Sequence, residues 1–362
     1  MKSNYSIIIV LIVTLMLLSC TITSPEIEEG SKLLEDGLWR LRVNVPGFGR
    51  NVDIYNNTAI VSANSDSVAS IHIFKYDGNN NWDLITSFTE NDVTPSYGDE
   101  ISIGNNVIAV SDCNDNRIYT YIKTDTTWKN HSVIVPPNVN SYTYFGKSLD
   151  TYENYLVVGS ETGPAVLYEL ISDSWIEQTS LNVGDQQENE YEIQVRLSEN
   201  FLATCKGRDI YVYNRTGNIL SNKTLIDSTQ NTIHLSNYRI CLNDSLLVVG
   251  DPEFKNEYCG ITIYSYSDNI WSINSTIEKY IGRDEFINSI EIYSNYILFA
   301  LSPYRFGSNT LIFYSLSDEA LTSNDWVFSE SISNSGFRNN FALSNEFAII
   351  SGYNYAYIYE YR

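Results

Sequence analysis

A pattern that recurs seven times constrains the fold of this chain more than any other feature. Its units begin at Phe48, Tyr97, Phe145, Tyr191, Ser236, Phe286 and Phe337, so the steps are 49, 48, 46, 45, 50 and 51 residues. Each unit continues with an alternating strand, an apolar strand that ends in a small residue, a Tyr-rich strand and a strand led by Trp. This period and this order of strands predict an all-β, seven-bladed β-propeller with four antiparallel strands in each blade.

The two ends of the repeat array predict how the ring closes. The seventh unit stops at Arg362, directly after its third strand, and an unassigned strand, Trp39–Val45, precedes the first unit. If the amino-terminal strand completes the last blade, hydrogen bonds close the ring and remove an exposed sheet edge. The propeller domain is therefore expected to occupy residues 38–362.

The amino terminus has the features of an export signal. Lys2 precedes an apolar run from Ile7 to Leu18, which is shorter than the roughly 20 residues that span a bilayer. The run ends in Leu17-Leu18-Ser19-Cys20, which resembles the lipobox of bacterial lipoproteins and implies that Cys20 carries the lipid. We therefore expect a signal peptide at 1–19, an acidic tether at 20–37, and an extracytoplasmic protein anchored in a bacterial cell envelope, at the outer membrane or cell surface.

The best-preserved unit resembles a known repeat. Residues 144–160, Tyr-Phe-Gly-Lys-Ser-Leu-Asp-Thr-Tyr-Glu-Asn-Tyr-Leu-Val-Val-Gly-Ser, look like the FG-GAP repeat of bacterial surface proteins, which is related to the propeller of integrin alpha chains. Aromatic-Gly pairs persist at 48–49, 97–98 and 145–146, and the small residue after the second strand is Ser62, Ser111, Gly159, Cys205, Gly250, Ala300 or Ser351. Relatives often bind Ca²⁺ between the first two strands of a blade, but the turns here are too short for the required oxygen ligands. Asp112-x-Asn114-x-Asn116 lacks the remaining ligands, so neither a metal nor another cofactor is expected.

Composition excludes one class of partner. The chain has 22 basic and 44 acidic residues and a net charge of −22, which disfavours binding to nucleic acid. Cys113, Cys205, Cys241 and Cys259 follow Cys20 without metal-ligand spacing, so two disulfides and free buried thiols both remain open.

The residues available for catalysis lie on the first strands of the units. The three histidines fall in different blades, which argues against a zinc site or a Ser-His-Asp triad. Asp53, Asp150, Arg196 and Glu291 occupy equivalent positions around the ring. Paired carboxylates could perform acid–base chemistry on a glycan. Ion pairs with Arg196 that line the channel or join blades are the favoured interpretation.

These features predict a non-enzymatic, monomeric propeller that binds a protein or glycan through its loops and the membrane through Cys20. The alternatives are a polysaccharide-active propeller enzyme, either a lyase or a glycosidase, and a scaffold for envelope assembly. The connections between the second and third strands of units five and six are long and carry aromatic and Arg residues, which dominate binding hot spots. The candidate partner-binding residues are Phe254, Tyr258, Tyr304, Arg305 and Phe306.

Overall fold

The structure is a computed structural model, and it describes most of the propeller. The described residues are 30–33, 39–43, 45, 47–65, 68–125, 127–138, 142–183, 192–207, 209–227, 238–255, 258–280, 285–294, 296–303, 309–316, 326–334 and 337–360. No helix in this part of the chain is long and apolar enough to cross a membrane. The predicted signal peptide and Cys20 lie outside it.

The strands form seven antiparallel sheets arranged as the blades of a propeller, which confirms the predicted fold. Two strands precede the first blade: β1 (Gly30–Leu33) and β2 (Trp39–Arg42). Blade 1 contains β3 (Phe48–Tyr55), β4 (Thr58–Ser65), β5 (Val68–Tyr76) and β6 (Trp82–Glu90). Blade 2 contains β7 (Tyr97–Ile103), β8 (Val107–Asp112), β9 (Arg117–Thr124) and β10 (Thr127–Ile134). Blade 3 contains β11 (Ser148–Tyr152), β12 (Tyr155–Gly159), β13 (Ala165–Ile171) and β14 (Ser174–Leu181).

The remaining blades repeat this order. Blade 4 contains β15 (Ile193–Leu197), β16 (Phe201–Lys206), β17 (Asp209–Thr216) and β18 (Ile219–Asp227). Blade 5 contains β19 (Arg239–Leu242), β20 (Leu246–Lys255), β21 (Tyr258–Ser267) and β22 (Ile270–Tyr280). Blade 6 contains β23 (Glu285–Tyr293), β24 (Tyr296–Pro303), β25 (Asn309–Leu316) and β26 (Trp326–Asn334). Blade 7 contains β27 (Phe337–Leu343), β28 (Phe347–Gly352) and β29 (Ala356–Glu360), and the first strand of each blade lies innermost.

The amino-terminal strand closes the ring as the sequence predicts. Strand β2 pairs antiparallel with β29, with Trp39 opposite Ile358 and Leu41 opposite Ala356. Leu41 is fully buried in the core between blades 7 and 1. Strand β1 then pairs with β2 as a fifth strand, so four residues of the segment assigned to the tether extend the blade-7 sheet instead.

Contacts between neighbouring blades explain the aromatic-Gly pairs. Gly98 of blade 2 lies against Ser62 of blade 1, and Gly146 of blade 3 lies against Ser111 of blade 2. Both glycines have positive φ angles, of +76° and +92°, and a Cβ at Gly98 would lie 2.7 Å from the Ser62 Cβ. Larger residues at these positions would therefore force the blades apart.

Serines near the end of the second strand also compensate for irregular strand pairing by accepting backbone hydrogen bonds. In blades 1, 2 and 7 the innermost strand departs from regular register near its start. There the Ser62, Ser111 and Ser351 hydroxyls accept hydrogen bonds from the backbone N–H groups of Asn51, Glu100 and Asn340, at 3.0, 3.1 and 3.1 Å. The hydroxyl thus satisfies a buried donor that the sheet leaves without its partner.

Large aromatic side chains join the outer parts of the blades. The fully buried Trp82 of blade 1 contacts Phe347 of blade 7, with ring centroids 5.1 Å apart. Trp271 of blade 5 contacts Phe201 of blade 4 in the same way, at 5.0 Å. Most of the described tyrosines in the Tyr-rich third strands, such as Tyr119 and Tyr121, are buried. These tyrosines pack between blades.

One predicted loop is a hairpin. Residues 251–259 were expected to form a protruding connection in blade 5, but β20 and β21 extend into this segment and Lys255 pairs with Tyr258. The backbone pairing continues after a register shift beyond Asp251, so Pro252 and the charged residues that follow do not end the strand. Strand pairing therefore reaches Lys255 and Tyr258, within the segment expected to protrude.

We expect Gly49→Ala to destabilise the ring far more than Gly78→Ala. Both glycines have positive φ, +83° and +79°, so each substitution carries a backbone cost of about 1 kcal/mol. A Cβ at Gly49 would overlap the carbonyl oxygen of Tyr355 in blade 7, whereas nothing lies within 4 Å of that position at Gly78. Gly49→Ala should lower the free energy of unfolding by a further 3 kcal/mol or so, measured by denaturant unfolding. Equal losses would show that this contact does not hold blades 7 and 1 together.

Candidate active site

The innermost strands surround a polar central channel with a cavity volume of about 430 Å³. In each blade, the third residue of the second strand pairs with one residue of the innermost strand. The side chains of these innermost-strand residues form a first ring around the channel. Its members that line the cavity are Asp53, Ser102, Asp150, Arg196, Glu291 and Ala342. Two positions earlier, a second ring consists of Asn51, Glu100, Ser148, Gln194, Arg239, Ser289 and Asn340. Both rings face the channel because side chains alternate along a strand.

An ion pair crosses the channel between two blades that are not neighbours. The Arg196 guanidinium of blade 4 donates to the Glu291 carboxylate of blade 6, with Nη2 3.3 Å from Oε1. About a quarter of each side chain remains exposed, 25% for Arg196 and 26% for Glu291. Arg196 is further held by a 2.9 Å hydrogen bond from Nη1 to the Val195 carbonyl. The pair is thus both positioned by the fold and accessible from the channel.

The two aspartates of the first ring join neighbouring blades. Asp53 accepts hydrogen bonds from Ile54 N, at 2.8 Å, and from Ile103 N of the next blade, at 2.7 Å. Asp150 accepts from Thr151 N and from Leu197 N of the next blade, both at 2.8 Å. Both carboxylate oxygens of each aspartate therefore accept hydrogen bonds from backbone N–H groups. Glu291 is the ring carboxylate that forms an ion pair with Arg196.

Burial shifts the ionisation of the channel carboxyls strongly. Desolvation raises the pKa of Glu291 to about 7, although the Arg196 charge opposes the shift. Burial likewise raises the pKa of Glu100 to about 8, against the opposing charges of Arg196 and Lys147. The pKa of Asp53 rises to about 8 for the same reason, despite its two backbone hydrogen bonds. A carboxyl whose pKa is near neutrality can both take up and release a proton at physiological pH.

A second ion pair lies at the start of the inner strands. Arg239 Nη1 is 3.4 Å from Glu192 Oε1, and Arg239 Nε donates to the Asn288 carbonyl at 2.7 Å. Glu192 also helps to raise the pKa of the nearby Lys147, against the effect of burial. The channel therefore contains interleaved acidic and basic groups from one end to the other.

The structure brings together the four ring residues that the sequence singles out and confirms the predicted ion pair with Arg196. Glu100, Glu192 and Arg239 were missed because they belong to no motif. The only sequence signal for these residues was their position, an even number of residues before the first-ring residue of the same blade. Cys241 occupies the equivalent ring position in blade 5, opposite Val248, and burial raises its thiol pKa well above the usual value.

Other candidate residues serve structural roles or are not described. Asp112 accepts hydrogen bonds from Thr94 N and Ser96 Oγ, both at 2.8 Å, and Asn116 Oδ1 accepts from Phe145 N at 2.8 Å. No cluster of three metal-ligating side chains occurs among the described residues. Buried free thiols are present at Cys113, Cys205 and Cys241, whereas Cys259 has no described side chain.

The predicted partner-binding residues remain a prediction. Tyr304, Arg305 and Phe306 lie outside the described residues. The backbones of Phe254 and Tyr258 belong to β20 and β21, but their side chains are not described.

We expect Glu100→Gln to stabilise the protein at pH 9 more than at pH 5. The folded-state pKa of Glu100 is about 8, above the ordinary value of 4.5. Its stabilising contribution is therefore present below pH 4.5 and lost as the pH rises through about 8. Glutamine has the same shape and no charge, so its advantage in melting temperature should be small at pH 5 and about 2 °C or more at pH 9.

Glu346→Gln, in the exposed turn between β27 and β28, is the matched control for this substitution. It should leave the melting temperature unchanged at both pH values. An identical shift for Glu100→Gln at pH 5 and pH 9 would contradict the buried, proton-binding environment of Glu100.

Comparisons with known proteins support the propeller fold but do not assign the chain to a family. Neither a family model nor a curated protein matches the chain. A provisionally assigned 6-phosphogluconolactonase from Bacteroides fragilis has a similar structure, with 10% identity over 79% of this chain and 84% of that one, and a TM-score of 0.54. A periplasmic gluconolactonase from Pseudomonas aeruginosa has 11% identity over 79% and 85% of the two chains, and a TM-score of 0.54. The WD40 domain of a Toxoplasma gondii coronin has 8% identity over 92% and 90%, and a TM-score of 0.58.

These similarities contradict the prediction that the chain is not an enzyme. Two of the similar propellers are lactonases by name, and lactonases are enzymes. The prediction rested on missing motifs, whereas the channel contains acid–base groups that no motif marks. At 10% and 11% identity the likeness itself shows the propeller fold alone.

Proposed function

We propose that this chain is a hydrolase that opens a small, sugar-derived lactone in its central channel. The observation that carries this proposal is Glu291, a carboxyl with a pKa of about 7 that lies against Arg196 and remains accessible from the channel. Two of the propellers similar to this one bear the names of lactonases, which supports the choice of reaction. The cavity of about 430 Å³ falls in the range of small-molecule sites, about 300–1,000 Å³.

Glu291 and Arg196 together supply the two functions that lactone hydrolysis needs. As a carboxylate, Glu291 takes a proton from water while the water oxygen attacks the lactone carbonyl carbon. The carbonyl oxygen gains negative charge, which the Arg196 guanidinium stabilises. When the tetrahedral intermediate collapses, the ester C–O bond breaks and Glu291 returns its proton to the leaving ring oxygen. Lactone and water thereby become one hydroxy acid, with no cofactor required.

Glu291 is the best placed of the channel carboxyls for this role. Asp53 and Asp150 each accept two backbone hydrogen bonds, and removing either aspartate would leave buried N–H groups without partners. Glu291 is held by Arg196 instead, so a substrate oxygen can replace it at the guanidinium while the carboxylate turns to water. A pKa of about 7 leaves it half ionised at neutral pH, which suits a group that acts first as base and then as acid.

The rest of the lining suits a polyhydroxylated substrate. Amide and hydroxyl side chains of the second ring, including Ser289 and Asn340, line the channel. Such groups form directional hydrogen bonds with sugar hydroxyls. A substrate of the size of one sugar ring would reach both these groups and the ion pair.

The direct test is hydrolysis of a panel of aldonolactones, sugar-acid lactones and aryl glycosides, followed by titration of released acid or sugar. Glu291→Gln should lower kcat/KM for a lactone at least about 100-fold, without loss of folded structure. The kcat/KM of the wild type should rise with pH through a limb near 7, because the free enzyme needs ionised Glu291.

Glu346→Gln again serves as the matched control and should retain wild-type kinetics. Lactone hydrolysis that survives Glu291→Gln would exclude this residue as the acid–base group. Turnover of none of the lactones would contradict the proposed reaction, and cleavage of aryl glycosides alone would favour a polysaccharide-active enzyme.

We also propose that the protein is an envelope lipoprotein built from repeats of FG-GAP type. The Leu17-Leu18-Ser19-Cys20 sequence supports the anchor. The tight contacts at Gly49, Gly98 and Gly146 give the aromatic-Gly pairs a structural reason, which supports the repeat assignment. Residues 1–29 are not described, so the anchor rests on sequence alone.

Expressed in a bacterium fed a labelled fatty acid, the full-length protein should incorporate label and partition into the detergent phase. Cys20→Ala should abolish both effects, because the thiol is the site of acylation. Thr21→Ala, at the adjacent position, should change neither of them. Labelling that persists in Cys20→Ala would rule out Cys20 as the lipid attachment site.

A further inference from the structure

The junction of blades 7 and 1 carries an unusual concentration of positive charge for so acidic a chain. Arg40 and Arg42 of β2 both lie over the Tyr355 ring, at 4.6 and 5.3 Å from its centroid. Arg338 of β27 lies over the Tyr353 ring at 4.7 Å, and Arg50 of β3 follows the glycine that contacts Tyr355. The chain has twice as many acidic as basic residues, 44 against 22, so this grouping is distinctive.

Arg338 is the cation of this group with a buried donor that the described residues leave unsatisfied. Its Nε is buried and has no hydrogen-bond partner, and no ion pair to Arg338 occurs among the described residues. Burial lowers the pKa of its guanidinium, and the positive charge of Arg50 lowers it further. An arginine with a buried, unsatisfied N–H costs free energy unless an acceptor arrives. An incoming oxyanion would satisfy both the donor and the charge.

The neighbours of Arg338 fit a ligand that also enters the channel. Asn340, two residues further along β27, lines the cavity, as does Asn51, which follows Arg50. Arg50 is paired with Asp99, and its charge still acts on Arg338, whose pKa it lowers. The Tyr353 side chain is 59% exposed, and the Arg338 guanidinium lies over its ring.

We propose that Arg338, with Arg50 and Tyr353 beside it, is a binding site for an oxyanion carried by the substrate. We name these three residues the seam site. The planar fork of an arginine binds a carboxylate or a phosphate through two parallel hydrogen bonds, and both anions share this chemistry. The identification of the anion as part of the substrate rests on the proposed function, because strands β27 and β3, which carry Arg338 and Arg50, also contribute residues to the channel that holds Glu291. The binding of the anion itself does not depend on the proposed function.

The seam site is tested first by anion binding alone. Inorganic phosphate and acetate are titrated separately into the full chain at low salt and followed by calorimetry, which distinguishes a phosphoryl from a carboxyl group. Arg338→Met should weaken binding of the preferred anion at least tenfold. Arg338→Lys keeps the charge but loses Nε and the fork, and it should weaken binding by a smaller factor. Circular dichroism reports whether each variant is folded.

Two controls separate this site from the proposed catalytic pair. Arg117→Met removes another arginine, paired with Asp115 and 42% exposed, and should leave anion affinity unchanged. Glu291→Gln should also retain anion binding, so loss of lactone hydrolysis and loss of the seam site give different results. In the kinetic arm, Arg338→Met should raise KM for an anionic lactone at least tenfold and leave KM for a neutral lactone unchanged.

Several results would overturn the proposal. The proposal fails if the wild-type chain binds neither phosphate nor acetate. It also fails if folded Arg338→Met binds the anion as tightly as the wild type does. An equal loss of affinity in Arg117→Met would assign the binding to general surface charge. If anion binding persists but no lactone is hydrolysed, the seam site stands and the proposed reaction fails.

Discussion

The close contact between the glycine of one blade and the small residue of the blade before it is the constraint on which the structure depends. At Gly98 and Gly146 the backbone lies directly against Ser62 and Ser111, with positive φ and no room for a Cβ. This distance sets how near the innermost strands approach one another. At Gly49, Gly98 and Gly146, these contacts draw the innermost strands together and so help to narrow the channel that the strands surround.

A ring of strands held this closely makes the channel electrostatically unusual. Charged residues at one strand position converge from all sides, and the protein around them solvates them less than water does. The fold compensates Asp53 and Asp150 with backbone N–H groups from the next blade. Glu291 receives Arg196 instead, which leaves a carboxyl of near-neutral pKa in contact with a cation. The arrangement is an inter-blade ion pair, and under the proposed function it also serves as the acid–base site.

The sequence predicts the repeats and the closure of the ring because both follow from local strand patterns. It also places Asp53, Asp150, Arg196 and Glu291 at one ring position. It does not reveal that Arg196 contacts Glu291, two blades away, or that both aspartates are occupied by backbone donors, since these depend on spacing between blades. The non-enzymatic prediction, which the lactonases among the similar propellers contradict, rested on the absence of motifs, and the proposed acid–base site needs only a buried carboxyl and a nearby cation. Residues 251–259 were interpreted as a loop from the length of the connection between the second and third strands, although strand pairing extends to Lys255.

The most direct test of this account is the ionisation of Glu291 itself. In protein labelled with ¹³C at the glutamate carboxyls, the resonance missing from Glu291→Gln identifies this group, and its shift is followed from pH 4 to pH 10. The account predicts a titration midpoint near 7 that moves upward in Arg196→Met, because loss of the cation disfavours the carboxylate. A midpoint below 5 in the wild-type protein, unaffected by Arg196→Met, would contradict the assignment of this pair as the acid–base centre of the channel.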